Sequence, residues 1–473
     1  KKEGKSLMDN IIQDFCENSI KKLFALLGEE LRNRGNFSNF VLELKKKLDV
    51  LGVEICKVAL ESADEAVRLE PNRKAEWIVD RKDVKTLLTV FGEVKYQRTY
   101  YRSKNTGKHK YLSDEFLGIS SHDRIDMSLK ARLVDKAVDT AYGRSGKEAV
   151  ESAELSSQTV MNTIREIKNI PNLTKRDLAE KEQDEKIKVK YLYIEADEGH
   201  VSLQDGGYVE PRLIYVHEGS ELISKHRNKL KNIKYFSGIY ANSDELWLEV
   251  VDYIYNKYDI ESIDKIFISG DGARWIKEGL GWIPKGVYLL DRFHLSKYIM
   301  GATAQNHKYR PDLWKNINTC NLKGLKKTFK DLISDTENEN KIKEIKECRK
   351  YINNNWEGIV NYYNYDKVTG CSAEGHVSHI LSDRLSSRPL GWSIRGVDQI
   401  ARLRAYTANG GKIYNLFKEK ADRKKRKKYF YLSKKSTASY IKNSCLEKFN
   451  NIEVLNIGKK TRLSITLKAL RGA

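Results

Sequence analysis

The chain has 473 residues, 86 of them Lys or Arg against 65 Asp or Glu, for a formal charge of +21 and a pI near 9.4. Hydrophobic residues make up 40% and aromatics 10%, enough apolar surface to bury real cores, which excludes a disordered polyelectrolyte. No run of about 18 uncharged apolar residues occurs, so no membrane span is expected, and the basic balance points to a polyanion, nucleic acid or an anionic membrane surface.

The six cysteines, Cys16, Cys56, Cys320, Cys348, Cys371 and Cys445, are far apart and form no CxxC pair. That spacing fits neither a zinc ribbon nor a disulfide framework, and a reducing cytoplasm is the simplest setting. The start, Lys1-Lys2-Glu3-Gly4, has no apolar stretch behind its charges and does not read as a secretory signal.

Residues 1–78 read as an N-terminal helical region. Val41, Leu44, Leu48, Leu51, Ile55 and Val58 recur at three- and four-residue steps, an amphipathic stripe that suits a dimerisation arm or a bundle helix. Residues 79–120 change to alternation around Val94, Tyr96 and Thr99-Tyr100-Tyr101, with a turn at Asn105-Thr106-Gly107, and predict a small β module. Arg98 and Arg102 interleave with its tyrosines and are candidate contacts to a nucleic-acid backbone; a solvated β face is the alternative.

Residues 121–172 predict three helices, the first running to Tyr142-Gly143, the second capped by Ser145 and the third by Ser156. The pattern is that of a helix-turn-helix, whose last helix would offer Ser157, Gln158 and Asn162 to a DNA groove. A charged stretch over 174–187 reads as a linker.

The middle of the chain, 188–300 with 366–405, predicts a mixed α/β sheet. Strands at 189–197, 212–216 and 235–240 come first, then a helix over 243–257 and strands at 265–269 and 286–290. Three of these strands stop at acids, Asp197, Asp271 and Asp291, the strand ends where sites usually sit. Residues 301–365 read as a helical insertion and 406–473 as a basic C-terminal region. That region carries Arg423, Lys424 and Arg426 within a run of six cations, candidate DNA contacts. Arg384, Arg388 and Arg395 suit phosphate clamps or structural ion pairs. Trp275, Trp282 and Trp392 read as core, with Trp392 also able to stack on an unpaired base.

Cleaving or transferring a phosphodiester requires an in-line oxygen nucleophile and positive charge to stabilise the phosphoryl oxygens. Two divalent ions do both, held by as few as three acids on a rigid frame. Asp197, Asp271 and Glu374 offer such a set, the two aspartates from strand ends and the glutamate from a helix. Gly270 and Gly272, on either side of Asp271, suit a backbone that lets substrate approach closely. Taken singly, each acid reads as well as a turn former or a helix N-terminal charge. Cys371, His376 and His379 lack a fourth partner for zinc.

Four segments carry a family resemblance: Glu195-Ala196-Asp197-Glu198-Gly199-His200-Val201, Gly270-Asp271-Gly272-Ala273-Arg274-Trp275-Ile276, Leu290-Asp291-Arg292-Phe293-His294-Leu295-Ser296-Lys297-Tyr298, and Cys371 through His379 to Arg384-Leu385-Ser386-Ser387-Arg388-Pro389. Together they resemble the ISLre-type insertion-sequence transposases of Gram-positive bacteria, in the Mutator-like branch of DDE transposases. The resemblance implies an α+β multidomain chain with a ribonuclease H-like mixed α/β core interrupted by the helical insertion. It implies Asp197, Asp271 and Glu374 as catalytic and metal-binding acids, Asp291 and His294 as auxiliary residues, and Mg²⁺, with Mn²⁺ as a substitute, as the cofactor. Double-stranded DNA, both element ends and target, would be the partner, handled by a homo-oligomer in the bacterial cytoplasm at the nucleoid. A ribonuclease H-like nuclease without strand transfer and a DNA-binding regulator with a decayed centre are the rival readings.

Overall fold

The computed structural model of the chain describes residues 15–32, 37–120, 122–174, 177, 185–224, 227–387 and 391–425. The chain divides into two compact units, one of residues Lys1–Ile167 with Ile413–Ala473 and one of Lys168–Lys412.

In the first unit a 33-residue helix, Phe37–Leu69, lies on a three-stranded antiparallel sheet. Strand β1 (Trp77–Thr89) turns back through Val90-Phe91 into β2 (Gly92–Ser103), and β3 (His109–Lys110) pairs with Tyr101 and Arg102. Val53, Cys56 and Leu60 of the helix pack on Leu87, Val94 and Tyr96. Asp64 fastens the two layers, accepting the Thr99 amide at 3.0 Å and the hydroxyls of Thr99 and Ser113 at 2.6 Å each. The helical stripe seen in the sequence splits: Val58 is buried, whereas Val41, Leu48 and Ile55 are exposed.

Three helices follow, Met127–Asp139, Tyr142–Glu148 and Ser157–Glu166. The third starts as its sequence predicts, with the Ser156 hydroxyl accepting the Thr159 amide at 3.2 Å. The second differs: Ala141, not Ser145, stands at its N-cap. Ser145 is buried inside that helix and donates to the Leu133 carbonyl at 2.7 Å, joining the first helix to the second. The helix Ile413–Lys425 packs on Met127–Asp139, so this part of the C-terminal region belongs to the first unit. Most of the expected linker, 174–187, lies outside the described residues.

The second unit is built on a five-stranded sheet. Its strands and side hairpins run, in chain order, β4 (Tyr191–Glu198), β5 (Val201–Ser202), β6 (Tyr208–Val209), β7 (Arg212–His217), β8 (Ser220–Ser224), β9 (Arg227–Leu230), β10 (Lys234–Gly238), β11 (Lys265–Gly270) and β12 (Gly286–Leu290). The sheet order is β10-β7-β4-β11-β12; β7 is antiparallel to both its neighbours, and β4, β11 and β12 are parallel. Strands β5–β6 and β8–β9 form two separate hairpins.

Alternation along β4 sorts the two faces of the sheet. Leu192, Ile194 and Ala196 enter the main core with Trp247, Val250 and Ile254 of the helix Ser243–Lys257. Tyr193 faces the other way and packs with Phe267, Val287 and Leu289 against Tyr362, Tyr365 and Val368. The insertion forms helices Arg310–Asn318, Leu322–Ser334, Glu339–Asn354 and Trp356–Asn364. Leu313, Phe329, Ile345 and Ile352 from these helices join the same main core, so the insertion is part of the unit's packing rather than a separate lobe.

Candidate metal centre

The carboxyl ends of β4, β11 and β12 lie side by side. Glu195 pairs with Ser269 and Gly270 with Leu290; carrying that register forward sets Asp197 beside Asp271 and Asp271 beside Asp291. Asp197 shares the strand face of Tyr193, and Asp271 and Asp291 stand just past the ends of their strands, all three near enough for their charges to act on His294. The Asp291 amide donates to the Gly270 carbonyl at 2.8 Å, which fixes the level of the third strand end.

Each acid then meets a different surrounding. Asp197 is 7% exposed and its Oδ1 accepts the Glu198 amide at 2.9 Å. Burial pushes its carboxyl up to about 6; the Glu198 amide and His294 pull the other way, and the negative charges of Asp271 and Glu374 add to the rise. Asp291 caps the helix Arg292–Ala302 through the Phe293 amide, 2.9 Å, and its Oδ2 holds His294 Nδ1 at 2.8 Å. That hydrogen bond, outweighing burial, raises the His294 pKa, with Asp291, Asp197 and Asp271 adding their field. His294 Nε2 is thereby turned toward Glu374 Oε2, 4.0 Å away. Glu374 sits in the first turn of a continuous helix, Ala373–Val377, which runs through a π turn at Ser378–Ser382 to Asp383–Leu385.

One ligand atom each from Asp197, His294 and Glu374 lie within 4.8 Å of one another. This grouping differs from the expected set. His294 enters it as a direct neighbour of both acids, whereas Asp271 stands outside it, its Oδ1 accepting the Ala273 amide at 2.9 Å. The two carboxylate oxygens fit a hard divalent ion, with the His294 imidazole standing beside them rather than serving as a third donor, since its raised pKa favours the protonated ring. A cavity of about 310 Å³ opens beside Asp271 and His294, walled by Lys297, Tyr298, Glu344, Glu347 and Tyr351.

The glycines around Asp271 serve packing inside the chain. A Cβ on Gly270 would lie 2.9 Å from the Ala196 carbonyl and 2.6 Å from Ile276, so adjacent strands can approach only if it is absent. Gly272 has φ +99°, and a Cβ there would meet Asn355 at 2.6 Å. Tyr351 completes the support by donating its hydroxyl to the Asp271 carbonyl at 2.6 Å while stacking on Tyr298, ring centroids 4.0 Å apart.

Behind the acids lies a buried polar network that the sequence reading missed. Glu195, 2% exposed, accepts the Tyr215 hydroxyl at 2.6 Å, His217 Nε2 at 3.0 Å, and both the amide and the hydroxyl of Ser372. Burial alone would raise its pKa, but the bonds from His217, Tyr215 and Ser372 hold it below the usual carboxylate value. His217 Nδ1 accepts the Gly219 amide at 3.1 Å, leaving Nε2 as the donor toward Glu195. His376 lies on the Tyr215 ring, centroids 4.4 Å apart, and its Nδ1 bonds the Tyr235 hydroxyl at 2.8 Å. The available signal was the two-residue step from Glu195 to Asp197, which puts both acids on one strand face.

The expected nucleic-acid contacts divide. Arg98 is buried, bonded to Asp114, and lies 3.5 Å over the Tyr111 ring; it holds the β module together and is not a surface contact. Arg384 is likewise buried, 4.8 Å over the Trp392 ring. Trp392 is core, donating to the Leu385 carbonyl at 3.0 Å, and Trp275 is also buried, but Trp282 is 39% exposed and bonds Asp244. Arg102, Ser157, Gln158 and Asn162 are exposed, with Gln158 Nε2 donating to Asn162 Oδ1 at 3.0 Å along the helix face. Arg388 and Arg426 lie outside the described residues; Arg423 and Lys424 fall in the last turn of the Ile413–Lys425 helix. Among the described residues no helix is long and apolar enough to cross a membrane.

Fold and site together define a mixed α/β protein with an acidic, histidine-assisted cluster at the carboxyl ends of its parallel strands. The chain belongs to UPF0236, an uncharacterised protein family whose model matches residues 30–422. It is 44% identical over 458 residues to UPF0236 protein TTE2489 of Caldanaerobacter subterraneus subsp. tengcongensis, covering 96% of this chain and 97% of that protein. It is 42% identical over 471 residues, 99% of both chains, to a UPF0236 protein of the same organism whose name joins eleven locus designations, from TTE0033 to TTE2212. A more distant relative, the UPF0236 protein in the vanSb 3′ region of Streptococcus gallolyticus, is 24% identical over 402 residues, 81% of this chain and 86% of that protein.

Proposed function

We propose that this chain is a DNA transposase of the Mutator-like DDE type, with a ribonuclease H-like core in its second unit. The observation that carries the reading is the convergence of Asp197 and Glu374 with His294, next to Asp271 on the neighbouring strand. The order β10-β7-β4-β11-β12 with an antiparallel β7 supports the ribonuclease H-like assignment. The relative named for eleven loci of one strain is what a gene that copies itself around a chromosome would leave behind.

In this reading Asp197 and Glu374 would hold a divalent ion, with Asp271 as a further carboxylate at the end of the neighbouring strand. Bound Mg²⁺ or Mn²⁺ supplies Lewis-acid stabilisation of the phosphoryl oxygens and lowers the pKa of an attacking water or 3′ hydroxyl. Asp291 orients His294 so that its Nε2 faces the reacting side, where a protonated imidazole steadies a phosphate oxygen. Gln158 and Asn162, on the exposed face of the Ser157–Glu166 helix, read bases at the element ends, and Arg102 contacts backbone. Two ends handled by one reaction call for a homo-oligomer.

The test uses DNA bearing the ends of the element that encodes the chain. Purified protein should nick these ends with Mg²⁺ or Mn²⁺ and join pre-cut ends with a free 3′ hydroxyl to a second DNA. Asp271→Ala should abolish both reactions while leaving end binding nearly intact. Nicking without joining would replace the proposal with a nuclease; DNA binding without metal-dependent nicking would replace it with a regulator.

A further inference from the structure

The segment that delivers Glu374 climbs the polar face of β4 in steps that match the strand's own repeat. Tyr193 donates its hydroxyl to the Lys367 carbonyl at 2.7 Å. Two residues on, Glu195 takes the Ser372 amide and hydroxyl. Two further on, Asp197 reaches Glu374. Ser372 is the last residue before the helix Ala373–Val377, its own side chain makes no cap bond to that helix, and Glu374 itself is 61% exposed. A long, exposed glutamate on a helix start has several rotamers open to it and a backbone free to fray, so its placement depends on how the preceding residue is held. Here that residue is gripped by a buried carboxylate whose other hydrogen bonds come from Tyr215 and His217 on the adjacent strand β7.

We propose that Glu195 is a positioning residue: a buried clamp on Ser372 that sets Glu374 at the distance from Asp197 needed to share a divalent ion. The role rests on the metal-centre reading above. A buried carboxylate with its lone pairs filled by fixed donors is rigid and costly to displace, and partners behind metal ligands typically govern affinity by 10- to 100-fold. Tyr215 and Ser372 hydroxyls 2.9 Å apart close the network on itself, and His376 laid on Tyr215 extends the grip by one helical turn.

The test compares the full chain with Glu195→Gln, Ser372→Ala and Tyr193→Phe, the last breaking the lower tether while keeping the ring that stacks on His217. Mn²⁺ binding is followed by titration, and backbone hydrogen exchange over residues 371–381 is followed without metal or DNA. Glu195→Gln should keep the circular dichroism of the wild type, speed exchange over 371–377 by about tenfold or more, and weaken Mn²⁺ by about 10- to 100-fold. Ser372→Ala should fall between, and Tyr193→Phe should leave Mn²⁺ binding unchanged. Wild type that binds Mn²⁺ while Glu195→Gln binds it equally tightly overturns the clamp alone, as does equal weakening by Tyr193→Phe. Wild type that binds no Mn²⁺ overturns the metal centre and the clamp with it. A Glu195→Gln chain that does not fold is answered by Ser372→Ala, whose unchanged exchange and affinity would also overturn the role.

Discussion

Asp197→Asn should make the metal-free protein more stable at pH 8, although it removes a residue central to the site. Folding lifts the Asp197 carboxyl from its ordinary 3.8 to about 6, chiefly by burial and further by Asp271 and Glu374. Because the folded value lies above the unfolded one, folding favours the protonated acid. That contribution is fully present below about pH 3.8, fades as pH rises through about 6, and is gone above it. At about 1.4 kcal/mol per unit of pH, the ionised acid costs the fold about 3 kcal/mol relative to a neutral group of the same shape. Urea unfolding of the second unit, followed by tryptophan fluorescence, should show Asp197→Asn gaining up to about 3 kcal/mol at pH 8 and well under about 1 kcal/mol near pH 4. Millimolar Mn²⁺ at pH 8 should reverse the ranking by stabilising wild type and leaving the variant unmoved. A gain of equal size at both pH values, or no gain at pH 8, would mean that Asp197 is not a buried anion crowded by its neighbours.

Arg98→Ala should destabilise the first unit by about 1.5–3 kcal/mol, because it removes a buried charged hydrogen bond and leaves Asp114 with Lys85, 3.6 Å away; a loss of DNA affinity at unchanged melting temperature would contradict its buried place. Gly272→Ala should cost about 1–3 kcal/mol from the left-handed backbone and the contact with Asn355, seen as a lower urea midpoint. Tyr351→Phe should cost about 1 kcal/mol, the loss of one hydrogen bond to the Asp271 carbonyl, with the Tyr298 stack retained. Gln158→Ala combined with Asn162→Ala should weaken binding to specific ends more than to random DNA in gel shifts, with the salt dependence unchanged.

Much of the second unit was written in local pattern. The strand Gly286–Leu290 and the helix Ser243–Lys257 fall where the sequence puts them, because an apolar run closed by an acid and a helical stretch between two strands need no distant partner to be recognised. The same holds for the Ser156 cap. Ser145 and Arg98 went the other way for one shared reason. A hydroxyl and a guanidinium look like surface groups in sequence, and only the arrival of Leu133 and Asp114 from other elements makes burying them affordable.

Which acids end strands, that Glu195 and Asp197 point the same way, and that cations outnumber anions can all be read from the residues in order. Those are matters of a two-residue repeat and of composition, and each can be read within a few residues. Packing is needed to show that His294 stands in the cluster while Asp271 lies outside it, that the insertion shares the main core, and that a glutamate 177 positions upstream grips the start of the Glu374 helix. These depend on the register between strands and on distances across the sheet, which arise only when segments remote in the chain are packed to within hydrogen-bonding reach.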